Sequence, residues 1–472
     1  MPGVPPGARD IEVTSLAYDN RAVEARTLFF CVPGFTRDGH EFAPDAIRRG
    51  AVALVVQRPL GLGVPELPVA DVRAAMAPAA ARFYGDPTAE LQVVGVTGTN
   101  GKTTTAFLVR SLLEAGGRQT GLLGTVKSVI GGVQHEVERT TPEAIDLQRT
   151  FRQMLELGDV ACAMEVSSHA LELRRADAIH FAAAIFTNLT QDHLDFHPTM
   201  EDYYQAKRRL FAEGGPERSL VNVDDPYGAR LAAEISRPVT FALDNDATYR
   251  AAQVQTGLDG SRFIVQGPDG ATELRTPLRG RFNVYNVLGA FAAARELGVP
   301  GPRVVEAIES AGQVPGRFET IDEGQGFAVL VDYAHTPDSL ENVLRAARGL
   351  TTNRLHVVFG AGGDRDRSKR PLMGQIASGL ADRVIVTSDN PRSEPPDAII
   401  DEILEGAGND VEHNVDRREA IATAIQTAEP GDVVVIAGKG HEQGQEFERG
   451  RKAPFDDATV AREALRSAAL TR

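Results

Sequence analysis

The chain has 472 residues, and at roughly 150 residues per domain this length predicts about three domains. Its formal net charge of -15 argues against nucleic-acid binding as the main function, because phosphate backbones require a concentrated positive surface. Two cysteines, Cys31 and Cys162, exclude a disulfide framework, and we expect both to be buried. No apolar run approaches the ~20 residues of a membrane span, and the first residues lack the apolar core of a signal peptide. We therefore expect a cytoplasmic protein without membrane insertion.

Residues 1–88 predict a small α/β unit. Apolar runs predict buried strands at residues 27–32 and 51–56, and the pattern between them predicts a helix over residues 43–49. A second helix, over residues 73–84, ends at a Gly-Asp-Pro sequence that is typical of a linker. The polar loop at residues 34–39 lies beside these strands, and a solvated surface loop is its ordinary interpretation.

The second segment, residues 89–313, begins with the sequence VVGVTGTNGKTTT. An apolar strand at residues 93–97 leads into a turn with Gly98 and Gly101, where backbone N–H groups can converge on a phosphate at the start of a helix over residues 102–115. Lys102 is then expected to reach the terminal phosphates and Thr103 to bind Mg²⁺. The strict phosphate-loop pattern has glycine at the position of Val96, and a glycine-rich turn without a ligand is the alternative.

Further strands at residues 160–166, 182–187 and 219–222 predict a mostly parallel sheet with helices on both faces. Ligands bind such sheets at the carboxyl ends of the strands, where Glu165 and His193 are candidate Mg²⁺ ligands. A histidine in such a loop is equally suited to hydrogen bonding alone. Lys207, on a helix over residues 200–211, has the ordinary interpretation of a solvated charge.

The third segment, residues 314–472, again alternates predicted strands with helical segments. Its strands are predicted at residues 327–331, 355–359, 383–386 and 433–436. Each strand ends in a polar or glycine-rich loop, which predicts a single crevice. Arg365 and Arg392 are suited to a carboxylate, and Glu442 is suited to an ammonium group. Together they indicate an amino-acid substrate, although surface salt bridges would use the same residue types.

Several ordered stretches resemble the Mur ligase family. They are TGTNGKTT at Thr97, MEVSSHAL at Met164, FTNLTQDHLDFH at Phe186, GRFNVYN at Gly280, VPGRFE at Val314, VDYAHTPDSL at Val331 and GGDRDRSKRPLMG at Gly362. The resemblance runs from about Ile11 to the end of the chain. It implies an α/β fold with an N-terminal UDP-sugar-binding domain (1–88), a central ATP-binding domain with a phosphate-loop parallel sheet (89–313) and a Rossmann-like amino-acid-binding domain (314–472).

Within that family the chain is most similar to the ligases that add the third residue of the peptidoglycan stem peptide. This implies ATP-dependent, amide-forming addition of meso-diaminopimelate to the D-glutamyl side-chain carboxylate of UDP-N-acetylmuramoyl-L-alanyl-D-glutamate, by a monomer. The DNPR sequence at Asp389 resembles the diaminopimelate motif, and an arginine beside an asparagine suits the carboxylate that lysine lacks. Addition of L-lysine and folylpolyglutamate synthesis are alternatives. The third alternative is a nucleotide-binding protein that has lost catalysis. It is disfavoured because Lys102, Glu165, His193 and Lys207 are all present.

The resemblance assigns a role to each set of residues. Catalysis involves Lys102, Glu165, His193 and Lys207. ATP is bound by Gly98, Thr99, Asn100, Gly101, Lys102, Thr103, Thr104, Asn286, Arg317 and Asp332. Mg²⁺ is bound by Thr103, Glu165, His193 and Lys207, with Lys207 as its N6-carboxy (carbamate) form. The UDP-muramoyl dipeptide contacts Tyr18, Asn20, Phe35, Thr36, Arg37, Thr140, Thr141, Ser167 and Arg175. Diaminopimelate contacts Arg365, Asp389, Asn390, Pro391, Arg392, Gly438 and Glu442.

Three features depart from the family pattern. Asn20 stands where a serine is usual, and Arg139 stands where an asparagine is common. Both lie at the expected nucleotide-sugar site. The family also usually has a further stretch before the position of Ile11, so we expect either a trimmed domain or a late start.

Overall fold

The computed structural model describes residues 10–34, 37–212, 215–408 and 410–470. These residues form three sheets that follow one another along the chain, with a separate two-stranded hairpin near the C-terminus. Within the described parts of the chain, no helix combines the length and the apolar character needed to cross a membrane. Both cysteines are buried, as predicted.

The N-terminal sheet is entirely parallel, with strand order β1-β2-β3-β4. Its elements are β1 (Ser15–Ala17), β2 (Thr27–Phe30), α1 (Ala43–Arg49), β3 (Ala51–Val56), β4 (Glu66–Pro68) and α2 (Val72–Phe83). Short 3₁₀ helices occur at Asn20–Ala22 and Gly39–Phe42. The predicted helix over residues 43–49 and strand over residues 51–56 are confirmed. Helix α2 packs against helix α4 of the next unit, so the N-terminal sheet is fixed beside the central one.

The central sheet has eleven strands in the order β15-β14-β13-β12-β11-β10-β5-β9-β6-β7-β8. Its strands are β5 (Gln92–Thr97), β6 (Thr120–Leu123), β7 (Ser128–Ile130), β8 (Val133–His135), β9 (Ala161–Glu165), β10 (Phe181–Phe186), β11 (Arg218–Asn222), β12 (Val239–Ala242), β13 (Tyr249–Gly257), β14 (Gly260–Gly267) and β15 (Gly270–Thr276). Its helices are α3 (Lys102–Ala115), α4 (Ala144–Glu156), α5 (Ser168–Glu172), α6 (Met200–Ala212), α7 (Pro226–Glu234), α8 (Arg281–Glu296) and α9 (Gly301–Glu309).

The middle of this sheet is parallel because its strands are joined by helices that cover both faces. Strands β5, β9 and β10 are almost completely buried, which agrees with their continuous apolar sequences. Antiparallel strands at both edges, β13–β15 and β6–β8, extend the sheet beyond the predicted elements. The strand ends that follow β5, β9 and β10 therefore meet at one edge of the sheet.

The C-terminal sheet has the order β16-β17-β21-β18-β19-β20, and all neighbours except β16 and β17 are parallel. Its strands are β16 (Glu319–Ile321), β17 (Ala328–Asp332), β18 (Leu355–Phe359), β19 (Arg383–Thr387), β20 (Glu412–Asn414) and β21 (Val433–Ala437), followed by the hairpin β22 (Gly444–Glu446) and β23 (Lys452–Pro454). Its helices are α10 (Pro337–Arg348), α11 (Lys369–Leu380), α12 (Pro396–Leu404), α13 (Arg417–Gln426) and α14 (Asp457–Leu470). The four predicted strands of this segment are confirmed to within one residue at each end.

Candidate active site

The loop between β5 and α3 requires glycine at two positions. Gly98 and Gly101 have φ angles of 151° and 86°, and a Cβ atom at either would overlap a neighbouring oxygen, Thr187 Oγ1 or Asn286 Oδ1. Two residues that follow the neighbouring strand β10 hold this loop in place. Asn100 N–H donates to Asn188 Oδ1 at 2.8 Å, and Thr187 Oγ1 donates to the Asn100 carbonyl at 2.6 Å. This shape, at the N-terminus of a fourteen-residue helix, suits a phosphate group.

Lys102 is the first residue of α3 and turns back into the loop. Its Nζ donates to the carbonyls of Gly98 and Thr99 at 3.0 and 2.7 Å. Burial lowers the pKa of this ammonium group, and the nearby Glu165 and Asp192 carboxylates oppose that change. A phosphate held in the loop would meet this charge directly.

Glu165 lies at the end of β9 and is almost completely buried beside the same loop. Its Oε2 accepts hydrogen bonds from Thr103 Oγ1 and Thr125 Oγ1, both at 3.1 Å, and its Oε1 accepts one from Thr125 N–H at 2.8 Å. The structure thus places a carboxylate and the Thr103 hydroxyl in contact, as the predicted metal set requires.

Lys207 is buried, so its interpretation as a solvated charge is wrong. Only 1% of the residue is exposed, its Nζ donates to the Gly98 carbonyl at 2.9 Å, and it lies 4.7 Å from the centre of the Tyr203 ring. Burial, followed by the nearby Lys102 charge, moves its pKa well below the usual value for lysine. A neutral amine is the form that reacts with CO₂, so this environment fits a carbamate.

His193 completes the group around the loop. Its φ angle is 54°, and its Nε2 lies 3.3 Å from Asp192 Oδ2. Burial lowers the pKa of His193, although the Asp192 carboxylate opposes that change, and a lower pKa favours the neutral imidazole that can bind a metal. Among the described residues, however, no group of three histidine, cysteine or acidic side chains is arranged as a metal site. The carboxylate and the hydroxyl at this cavity are oxygen donors of the kind that Mg²⁺ prefers, the imidazole would be an additional nitrogen donor, and the metal stays a prediction.

The C-terminal unit contributes three side chains to the phosphate-loop cavity. Arg317 Nη2 donates to Thr103 Oγ1 at 3.1 Å. Asp338 Oδ2 accepts from Asn100 Nδ2 at 2.7 Å and from Thr190 Oγ1 at 3.0 Å. Asp332 accepts from two backbone N–H groups, and burial raises its pKa to about 6. The contacts of Arg317 and Asp338 thus join the phosphate loop to the C-terminal unit.

Two cavities meet at this point. The larger, of about 1040 Å³, contains the phosphate loop, Asn286, Arg317 and Asp332. The smaller, of about 400 Å³, lies against the C-terminal sheet. Six residues line both: His169, Asp192, His193, Tyr333, His335 and Arg365.

The smaller cavity brings together most of the residues predicted to bind an amino acid: Arg365, Asp389, Asn390, Arg392, Gly438 and Glu442. Arg392 has a φ angle of 51°; its Nε donates to Glu446 Oε2 at 3.0 Å and its Nη1 to the Gly363 carbonyl at 2.7 Å. Asn390 Nδ2 donates to Glu442 Oε2 at 2.7 Å. Pro391 shapes the loop, and its carbonyl accepts from Glu394 N–H at 3.0 Å. The smaller cavity is thus lined by both cationic and anionic side chains, among them Arg392 and Glu442.

Four of the residues predicted to bind the muramoyl dipeptide, Thr140, Thr141, Ser167 and Arg175, line the larger cavity. Thr141 Oγ1 donates to the Glu165 carbonyl at 2.9 Å, and Arg175 Nη1 donates to the Thr141 carbonyl at 3.2 Å. Beside them Glu143 is paired with Arg73, Arg139 and Arg175. The departure at Arg139 thus adds positive charge at this edge of the cavity.

The other described residues of that set, Tyr18, Asn20 and Arg37, lie away from the cavity lining. Tyr18 donates to Asp146 Oδ2 at 2.7 Å, and Asn20 Nδ2 donates to Asp45 Oδ2 at 2.8 Å, both at the N-terminal sheet. The Arg37 guanidinium lies 5.9 Å from the Phe42 ring. Phe35 and Thr36 fall outside the described residues. Sequence reasoning missed two residues: Asp338, in the first turn of α10, and Lys439, in the glycine-rich loop that follows β21.

Comparison with known proteins matches the chain in three parts. The family descriptions are Mur ligase family, catalytic domain, over residues 12–84; Mur ligase middle domain, over residues 96–294; and Mur ligase, glutamate ligase domain, over residues 316–440.

Two curated relatives illustrate the similarity. The UDP-N-acetylmuramoyl-L-alanyl-D-glutamate--2,6-diaminopimelate ligase of Bacillus licheniformis is 45% identical over 97% of this chain and 96% of its own length. The ligase of the same name from Geobacillus kaustophilus is 46% identical over 96% of this chain and 95% of its own length.

Solved structures agree. A UDP-N-acetylmuramoyl-L-alanyl-D-glutamate--2,6-diaminopimelate ligase matches with a TM-score of 0.70 and 34% identity, covering 96% of this chain and 95% of that chain. The MurF ligase of Thermotoga maritima, solved with ADP, has a TM-score of 0.65 and 18% identity, covering 97% of each chain, and so shows the fold alone. By its sequence along almost its whole length and by its fold, the chain belongs to the Mur ligase family.

Proposed function

We propose that this chain is an ATP-dependent ligase that joins meso-2,6-diaminopimelate to the D-glutamyl side-chain carboxylate of UDP-N-acetylmuramoyl-L-alanyl-D-glutamate, in peptidoglycan synthesis. The observation that carries the proposal is the junction of the two cavities: a phosphate loop opens into a pocket lined by Arg392, Asn390 and Glu442. The names of the relatives at about 45% identity supply the substrate class. The proposal divides the chain into donor (1–88), ATP (89–313) and amino-acid (314–472) domains.

The reaction has two steps. The D-glutamyl carboxylate attacks the terminal phosphorus of ATP, which gives an acyl phosphate and ADP. The amine of diaminopimelate then attacks the acyl carbon, loses a proton and expels phosphate as the amide forms. Both steps depend on positioning and on neutralising negative charge.

The chain's own residues account for that positioning. Gly98 to Thr104 would hold the phosphates of ATP, with Lys102 and Arg317 neutralising the transferred group. Asn286 and Asp332 would contact the nucleoside. Thr140, Thr141, Ser167 and Arg175 would hold the dipeptide end of the donor. Mg²⁺, bound by Thr103, Glu165, His193 and a carbamate on Lys207, would add positive charge beside the phosphate oxygens.

Contacts between the central and C-terminal domains support exclusion of water from the acyl phosphate. Arg317 and Asp338 both reach across to the phosphate loop, at Thr103 and Asn100. An acyl phosphate is readily hydrolysed, so a loop enclosed on both sides favours transfer to the amine. We expect ligands to favour this closed form, and small-angle scattering that does not change on addition of all ligands would contradict that expectation.

The test is phosphate release with ATP, Mg²⁺ and the muramoyl dipeptide, comparing meso-diaminopimelate with L-lysine. We expect release only with diaminopimelate. Arg392→Ala should raise KM for diaminopimelate about 10- to 100-fold, because a charged hydrogen bond to the far carboxylate is lost. Arg418→Ala, which removes an exposed arginine of the same domain, is the control. Equal turnover of lysine would refute the specificity, and no turnover with either amine would refute the ligase.

A further inference from the structure

Lys439 is a buried cation at the wall of the amino-acid pocket. It follows β21 and lies between Gly438 and Gly440, whose φ angles are 116° and 54°. Its side chain has no exposed surface, and its Nζ lies 2.8 Å from Asn390 Oδ1 and 3.0 Å from Glu442 Oε2. Both partners line the smaller cavity.

We propose that Lys439 is a positioning residue that orients the Asn390 amide and the Glu442 carboxylate, and thereby sets selectivity for an amino acid with a carboxylate at its far end. The proposal rests on the proposed function. It assigns to Lys439 no contact with the substrate; its effect passes through the two side chains that it holds.

The orientation of Asn390 follows from the chemistry of its neighbours. A lysine ammonium group only donates hydrogen bonds, so Asn390 must present its oxygen to Lys439. The backbone N–H of Glu446 donates to the same oxygen at 2.9 Å, which favours the same orientation. The amide NH₂ group is thereby directed to the other side, where it donates to Glu442 Oε2. An amide in this orientation offers its second N–H to a carboxylate, whereas a flipped amide would offer an oxygen and repel it.

The orientation of Glu442 is fixed in the same way. Lys439 and Asn390 both donate to Oε2, at 3.0 and 2.7 Å. A carboxylate can accept about four hydrogen bonds, so Oε1 provides lone pairs for an incoming ammonium group. With Lys439 in place, Oε2 of Glu442 binds the protein and Oε1 is left for the ammonium group of the substrate.

Charge and position predict different effects of removing Lys439. Diaminopimelate carries two ammonium groups and two carboxylates, so loss of a cation alone would change its binding little, and Lys439→Gln would behave like Lys439→Met. If position matters, Lys439→Met frees both partners to turn and weakens binding, whereas Lys439→Gln can still hold Asn390 and loses less. Comparison of the two variants therefore separates the two explanations.

The experiment is the phosphate-release assay with Lys439→Met, alongside Lys452→Met, which removes an exposed lysine from the nearby strand β23. We expect Lys439→Met to raise KM for diaminopimelate at least about tenfold, the equivalent of one charged hydrogen bond, and to lower the preference for diaminopimelate over lysine. KM for ATP should change less than about threefold, since the two side chains that Lys439 Nζ holds, Asn390 and Glu442, line the smaller cavity and not the larger one. Lys439→Gln, which can still donate to Asn390, should recover part of the preference.

Circular dichroism melting establishes that each variant is folded. If Lys439→Met is not folded, Lys439→Gln is the test, and its KM for diaminopimelate should lie between that of the wild type and the roughly tenfold increase expected for Lys439→Met. An unchanged or lower KM for diaminopimelate in a folded variant would overturn the proposal, as would equal losses for ATP and diaminopimelate. Failure of the wild-type protein to use diaminopimelate would instead overturn the proposed function, and this inference with it.

Discussion

The ion pair between Arg417 and Asp457 joins the first residues of α13 and α14, and both side chains have no exposed surface. Arg417 Nε and Nη2 donate to the two carboxylate oxygens at 2.8 and 2.7 Å, and Nη2 also donates to the Ala437 carbonyl at 2.9 Å. We predict that Asp457→Asn lowers the free energy of unfolding by about 3–5 kcal/mol, because it leaves a buried guanidinium without its counter-charge. At about 2–4 °C per kcal/mol, the melting temperature of this domain should fall by roughly 6–20 °C.

An exposed ion pair on the same two helices, α13 and α14, serves as the control for the buried one. Arg418 and Glu463 are both about half exposed, at 55% and 53%, so Glu463→Gln should cost at most about 1 kcal/mol. The chain has no tryptophan, so unfolding is best followed by circular dichroism. The double variant Arg417→Met/Asp457→Leu should recover most of the loss, since apolar side chains often replace a buried pair without cost. A loss for Asp457→Asn no larger than that for Glu463→Gln would refute this reasoning.

Three further predictions concern the phosphate-loop cavity. Lys102→Ala should lower kcat at least about 100-fold in phosphate release while the melting temperature changes little, because charge that stabilises phosphoryl transfer is lost; near-normal turnover would contradict its role. Gly101→Ala should raise KM for ATP about tenfold, since φ is 86° and the new Cβ overlaps Asn286 Oδ1, whereas Gly117→Ala, also at positive φ but in open space, should not. The pKa of Asp332 is raised from 3.8 to about 6, so the folded state binds its proton more tightly and the contribution of Asp332 to stability falls by about 3 kcal/mol as pH rises through that range. Asp332→Asn should lack this decline in denaturant unfolding at pH 4 and 6.5, and the same decline in both proteins would contradict the assignment.

The parallel strands were predictable because a strand buried on both faces is a continuous apolar run bounded by polar loops. The predicted bounds of α1, α3, β3 and β18 coincide with the structure. Strands β13–β15 were missed, although their alternation of exposed and buried residues is the pattern of a strand with one solvated face; the apolar positions in them are few and separated by polar residues. Local pattern therefore predicted the core of each sheet better than its edges.

The candidate site was predictable in its residues more than in its geometry. Gly98, Lys102 and Thr103 follow from a local strand-to-helix turn, where sequence spacing fixes the arrangement. Lys207 was not recognisable as buried, because an amphipathic helix does not reveal which charge faces the protein. The bond from Asn100 to Asp338 joins residues 238 positions apart, and only the folded chain brings them together.

The shared wall of the two cavities has a consequence for inhibition. Asp192 and His193 come from the central domain, whereas Tyr333, His335 and Arg365 come from the C-terminal one. A single compound that spans the junction, with a phosphate mimic at one end and a diamino-dicarboxylate at the other, would contact both domains at once. Its linkage would make the second binding event intramolecular, so its affinity should exceed that of either half by far more than the added contacts explain.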